Sequence, residues 1–336
     1  MSSPQQFPFA RQSAGHAPLR RAESVRRTTS IDSQWPDGFG LAWEMTGRAR
    51  DLLTPKGDGE PVVLAAGGFR IVTSPTRTIE SIALDPAHPD AQDMVGVRAG
   101  GASRGAIGTS LGDLRGTPTF QVLDDFAGAS LVAPWIWSLW ADDWLARMTT
   151  HTVGAEAAVR RNMIDICTGF AAGGSAHTPE GRPNATNQSS TDVCPLEHPD
   201  DPDGWHAMPL QEGPCMRRAR RIDVWREDGL IKVDAGFQDS GSNPAGGRTA
   251  LHEYRVHAEV DPGSGVLTAL QVLPMVLPFR ECPGAAIKAT RLIGHKVADF
   301  RDDVLETLPG TAGCTHLNDV LRALSDVPLL AGRLPA

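Results

Sequence analysis

The chain has 336 residues, 40% of them hydrophobic and 21% charged, with a formal net charge of −8. That length suits two ordinary globular domains, and the negative balance disfavours general nucleic-acid binding, because the chain would repel phosphate backbones. The five cysteines are irregularly spaced in a long chain, which is no disulfide framework and points to a reducing, cytoplasmic setting. No apolar run approaches the roughly 20 residues needed to cross a bilayer, and the first residues lack the apolar core of a secretory signal.

In chain order, residues 1–24 are polar and Pro-containing and are expected to form a disordered arm. Arg20, Arg21, Arg26 and Arg27 make a basic patch there, expected as a solvated tail. A first unit spans 25–170. Its Gly-rich stretch at 100–116 lacks the Gly-Lys-Ser/Thr of a phosphate loop and reads as a decayed helix. In a helix starting at Pro134, Trp137, Trp140 and Trp144 share one face, as core or inter-unit packing would require. Residues 171–214 are rich in Gly, Pro, Asn, Ser and Asp with no hydrophobic period, the mark of a linker or functional loop. Cys194, His198 and His206 fall in it and read as unpaired loop residues.

A second unit spans 215–336. A hairpin is expected around Glu227, Asp228 and Gly229. Residues 252–260 alternate, with His252, Tyr254, Val256, Ala258 and Val260 on one side and Glu253, Arg255, His257 and Glu259 on the other. Residues 266–273 read as a buried strand. Helices follow: one opening after Cys282 and stopping at Gly294, one over 298–308, and a last one with Leu317, Val320, Leu321 and Leu324 as its core-facing stripe. The fold class is therefore α+β, with two related units, each an antiparallel sheet followed by helices packed on one face.

Self-similarity supports the two units. Arg26, Arg27, Ile31, Asp32, Asp37 and Gly38 match Arg217, Arg218, Ile222, Asp223, Asp228 and Gly229 at one offset. FRIV at 69–72 then faces YRVH at 254–257, and GTPTFQVLDD at 116–125 faces GCTHLNDVLR at 313–322. These colinear matches indicate an ancient duplication.

The candidate site is His252, Cys282, Cys314 and His316. Both cysteines stand where helices begin, where free N–H groups and the positive dipole end favour a thiolate. Two sulfurs and two imidazoles suit tetrahedral zinc, or iron in a mixed-ligand site. The alternative is two cysteines acting as small hydrophobes beside a hydrogen-bonded core histidine. Glu253 and Glu281 are candidate general bases.

RRIDVWREDGLIKV, LHEYRVHAEVD, LPFRECPGAA and above all GCTHLNDVL resemble DUF2889, a bacterial family of unknown function. By that resemblance His252, Cys282, Cys314 and His316 fall on its characteristic positions. Thr117 and Thr119 stand where the first unit would carry the cysteine and histidine. ICTGFAAGG at 166–174 resembles a later cysteine segment of the family, so Cys167 could lend a ligand across the interface. The layout is also similar to iron–sulfur scaffold proteins of the NifU and SufE type, although those carry their later pair adjacent rather than as Cys314-x-His316. The Cys/His set suits a metal-binding enzyme, zinc or iron, with Cys282 and Cys314 catalytic and the reaction open between hydrolase, lyase and isomerase; the resemblance implies a place in the catabolism of aromatic or steroid-like small molecules. A sulfur or iron–sulfur carrier and a non-catalytic small-molecule-binding protein are the alternatives. The expected partner is a small-molecule substrate, with no nucleic acid and no membrane, and a homodimer is compatible with all three.

Overall fold

Two long strands of matching sequence meet at the centre of the sheet. β1 (Ser24–Gln34) pairs antiparallel with β6 (Cys215–Glu227), Arg26 standing opposite Asp223 and Asp32 opposite Arg217. The register is thus the same read from either strand, and it closes two reciprocal ion pairs, Arg26–Asp223 and Arg217–Asp32, each at 2.6 Å. The structure is a computed structural model that describes residues 10–57, 59–144, 163–178, 184 and 187–335.

From this seam the sheet grows outward on both sides. β2 (Trp43–Thr54), β3 (Val62–Thr73) and β4 (Ile79–Asp85) extend it from β1; β7 (Leu230–Ser242) and β8 (Arg248–Val260) extend it from β6. The short β5 (Thr191–Val193) and β9 (Leu267–Val276) share the outer edge of β8. All pairings are antiparallel and join nine strands in one sheet. The expected α+β class stands. The expected pair of separate units does not: the strands of both halves are hydrogen-bonded into one sheet, because each first strand uses the other half as its neighbour.

Helices cover one face. They are α1 (Gly101–Ser110), α2 (Pro118–Val132) and α3 (Trp137–Trp140) in the first half, then α4 (Gly284–Lys288), α5 (Phe300–Thr307), α6 (Thr315–Ala323) and α7 (Val327–Ala331) in the second. α2 packs on β1–β3 and α6 on β7 and β8. The apolar core splits accordingly: Phe69, Phe126, Ile107 and Trp137 lie in one cluster, and Tyr254, Phe279, Phe300 and Leu321 in the other. Trp140 and Trp144 pack against the first cluster. Between the two lies a layer of arginine–aspartate pairs, buried except for the half-buried Arg104, that crosses from half to half: Arg27–Asp326, Arg104–Asp319, Arg220–Asp125 and Arg322–Asp124. Charges this deep need a partner to offset their lost hydration.

The other face is covered by segments expected to be loose. Residues 10–23 depart from the disordered arm: Ala10 and Ala17 are buried, and Arg20 forks onto Asp201. The basic patch departs from a solvated tail, since Arg26 and Arg27 are buried and paired. Trp205 packs on Ala17 and Ala219. His206, expected as an unpaired loop residue, is buried on β1, with Nε2 2.7 Å from the Ser30 hydroxyl and Nδ1 2.8 Å from that of Thr28. No helix among the described residues is long and apolar enough to cross a membrane.

Candidate metal centre

On the helix-covered face of the second half, Asp239 of β7 stands opposite His252 of β8, at a register shift that falls between Asp239 and Ser240. A bulge of this kind re-aims the side chains beside it. His316 comes from the first turn of α6 and stacks on His252, with ring centroids 3.5 Å apart and planes 18° apart. Both imidazoles point nitrogen at one oxygen. His252 Nδ1 lies 3.4 Å and His316 Nε2 3.7 Å from Asp239 Oδ2. Neither contact is a good hydrogen bond, and His252 Nδ1 is a buried polar atom with no hydrogen-bond partner. Among the described residues, Asp239, His252 and His316 form the group whose ligand atoms all lie within 4.8 Å of one another.

The electrostatics put all three groups in the form that binds a cation. Burial would raise the Asp239 carboxyl, but the Arg218 guanidinium outweighs it and holds the group well below the usual carboxylate range. Arg218 grips Asp239 with both prongs, Nε to Oδ1 at 2.8 Å and Nη2 to Oδ2 at 3.0 Å. A carboxylate offers about four lone-pair positions, so Oδ2 can still face the histidines. Burial lowers His252, opposed by Asp239. Burial and then the neighbouring His252 lower His316 further. Both rings are therefore neutral around neutrality.

The expected site divides into two. The structure brings His252 and His316 together and adds Asp239, which sequence reasoning missed. Cys314 is the N-cap of α6, and Cys282 precedes Pro283 at the start of α4. These two cysteines keep company with Cys167 instead. A Cβ on Gly169 would stand 2.5 Å from the Cys282 sulfur and 3.9 Å from that of Cys167. Thr168 ties this segment down by donating from its amide and its hydroxyl to the Gly313 carbonyl, each at 2.8 Å. Burial pushes the Cys282 and Cys314 thiols up, and Cys167 up to about 11, against the pull of the helix starts toward the thiolate. Tyr254, on the same strand face as His252, is fully buried and pushed well up by the same desolvation.

The candidate bases point elsewhere. Glu253 faces the opposite side of the sheet and accepts the Ala14 amide at 2.7 Å. Glu281 accepts the Ser175 amide and hydroxyl at 2.9 and 2.7 Å. Of the loop residues, Cys194 is exposed and stands outside any such group among the described residues. The signal that could have found Asp239 is positional. Arg27 stands opposite Asp51 on the next strand, as Arg218 stands opposite Asp239, so an aspartate follows the repeated Arg-Arg in each half.

No curated protein and no solved structure matches the chain, so the likeness to NifU- and SufE-type scaffolds gains no support. Residues 216–329 match the family described as a protein of unknown function, DUF2889; the chain thus carries a DUF2889 domain, and Asp239, His252 and His316 all lie within it.

Proposed function

We propose that the second half binds a divalent metal ion, zinc or ferrous iron, through Asp239, His252 and His316, and that the ion acts on a small organic substrate. One observation carries this reading: two neutral imidazole nitrogens converge on one ionised carboxylate oxygen at 3.4 and 3.7 Å. Two donors about 2.1 Å from a tetrahedral ion stand about 3.4 Å apart. Two histidines and one carboxylate leave coordination positions open, the pattern of catalytic rather than structural sites. An ion with an open position activates water or polarises a carbonyl. The lone pair of each nitrogen lies in its ring plane, so an ion shared by both would require one imidazole to turn out of the stack. His316, partly exposed, marks the side of approach.

The cysteines are not ligands in this reading. Buried and protonated, they are weak nucleophiles, which disfavours catalysis by Cys282 and Cys314 and the sulfur-carrier alternative alike. An aromatic or steroid-like substrate rests on the family resemblance alone. Elemental analysis of the native protein tests the proposal. One equivalent of zinc or iron is expected, lost in His252→Ala and in His316→Ala while both remain folded by circular dichroism. A native protein that holds neither metal and takes up neither on dialysis would overturn it.

A further inference from the structure

The first half has no histidine at the corresponding place, yet its helices reach into the second half's centre. Arg104 of α1 donates from Nη2 to Asp319 Oδ1 at 2.5 Å. Asp319, on α6, accepts Arg218 Nη1 on its other oxygen at 3.0 Å. Arg218 in turn forks onto Asp239. The charges alternate in sign along the whole chain, so each link is held from both sides. α2 leaves room for it: a Cβ on Gly128 would fall 1.9 Å from Arg218 Nη1 and 2.5 Å from Asp319 Oδ2. Gly128 has an ordinary helical place, so its missing side chain serves clearance rather than backbone freedom.

Resting on the metal reading above, we propose that Arg104 is a positioning residue for the metal carboxylate, supplied by the half that lacks a centre. Without Arg104, Asp319 carries an unbalanced charge beside Arg218. Arg218 is then drawn toward Asp319, and its two-pronged hold on Asp239 loosens. Partners beyond the ligands commonly change metal affinity about 10–100-fold when removed; Arg104 acts through two intermediates, so about 10-fold is expected. Arg104 is partly exposed and Asp319 keeps Arg218 as a partner, so the replacement leaves no wholly unpaired charge in the core.

The test titrates the full-length apo-protein with Co2+, read by its visible absorption. Arg104→Gln is expected to weaken binding about 10-fold and to shift the band, and Arg104→Lys to restore much of the affinity. Arg48→Gln is the control, since Arg48 pairs with Asp32 on the far face of the sheet; it should leave cobalt binding unchanged. Wild-type affinity in Arg104→Gln, or equal losses in Arg104→Gln and Arg48→Gln, would overturn the inference. A wild-type protein with no cobalt band would instead overturn the metal reading, and the inference with it.

Discussion

The two halves of the sheet share a framework and differ in what fills it. Arg27 faces Asp51 in the first half as Arg218 faces Asp239 in the second. The register slips after Asp51 as it slips after Asp239. Opposite these carboxylates stand Ala65 and His252. Two residues further along, counted from these pairs, Gly67 rather than the sequence-matched Phe69 occupies the place of Tyr254, paired with Ala49 where Tyr254 pairs with Phe237. At the covering helix, Thr117 and Thr119 answer Cys314 and His316. The first half therefore shows what the architecture alone requires: the ion pair, the bulge and a capped helix. Its small residues let the helix settle on the strand, so that a Cβ on Gly67 would meet the Thr119 hydroxyl at 2.2 Å. The imidazoles of the second half are additions the fold does without a short distance away, and that contrast supports the metal proposal.

Paired substitutions can break this comparison. The largest effect should come from the carboxylates. Asp51→Asn and Asp239→Asn each unbalance a buried arginine, at a cost of about 3–5 kcal/mol of stability in urea unfolding. Only Asp239→Asn should also abolish metal uptake; loss of metal in both would mean that the centre depends on the framework rather than on its own ligands.

Acid should come next. His206, lowered to about 3, and His252 and His316, also lowered, stay neutral in the folded protein, chiefly through burial. The unfolded chain takes up protons near 6.5, so the stability these rings contribute is complete above that pH and is lost as pH falls toward the folded values. Asp234, down to about 2, and Asp239 and Asp319 add a second loss as pH drops below their ordinary 3.8. The metal-free protein should unfold at lower urea at pH 4.5 than at pH 7. His316→Thr, which copies the first half, should flatten that slope, and an unchanged slope would contradict the buried neutral imidazole.

The smallest effect concerns the helix caps. Thr117 caps α2 by accepting the Phe120 amide at 3.1 Å, whereas Cys314 makes no side-chain cap bond. Thr117→Ala should therefore cost about 1 kcal/mol. Cys314→Ala should cost through lost packing instead, since no cap bond is lost with the thiol.

Much of this framework was legible in the residues. The repeat that matches Arg26 and Asp32 to Arg217 and Asp223 supplies the residues that pair crosswise at the central seam, Arg26 with Asp223 and Asp32 with Arg217. The turn at Glu227–Gly229 joins β6 to β7, and the alternation from His252 places it on the helix side with Tyr254. The 100–116 stretch is helical over α1. Other features stayed hidden because they depend on distant partners. Asp239 looks like any polar strand residue until Arg218 and two rings are placed around it. The helix starts of Cys282 and Cys314 favour thiolates, but their burial, which spacing does not report, pushes both thiols up. The loop and arm lack any period because they bury single residues, Trp205, His206 and Ala17, rather than a stripe. Cys167 lies on a segment tied to the loop before α6, so its closeness to Cys282 follows from chain geometry rather than from any local pattern.

The central seam has one more consequence. Because β1 and β6 carry the same Arg and Asp at the same spacing, β6 is complementary to a second copy of itself: Arg217 of one chain would find Asp223 of another in the way it now finds Asp32. A polypeptide made only of the C-terminal half would thus present a self-matching edge, along which two copies could pair about a twofold axis.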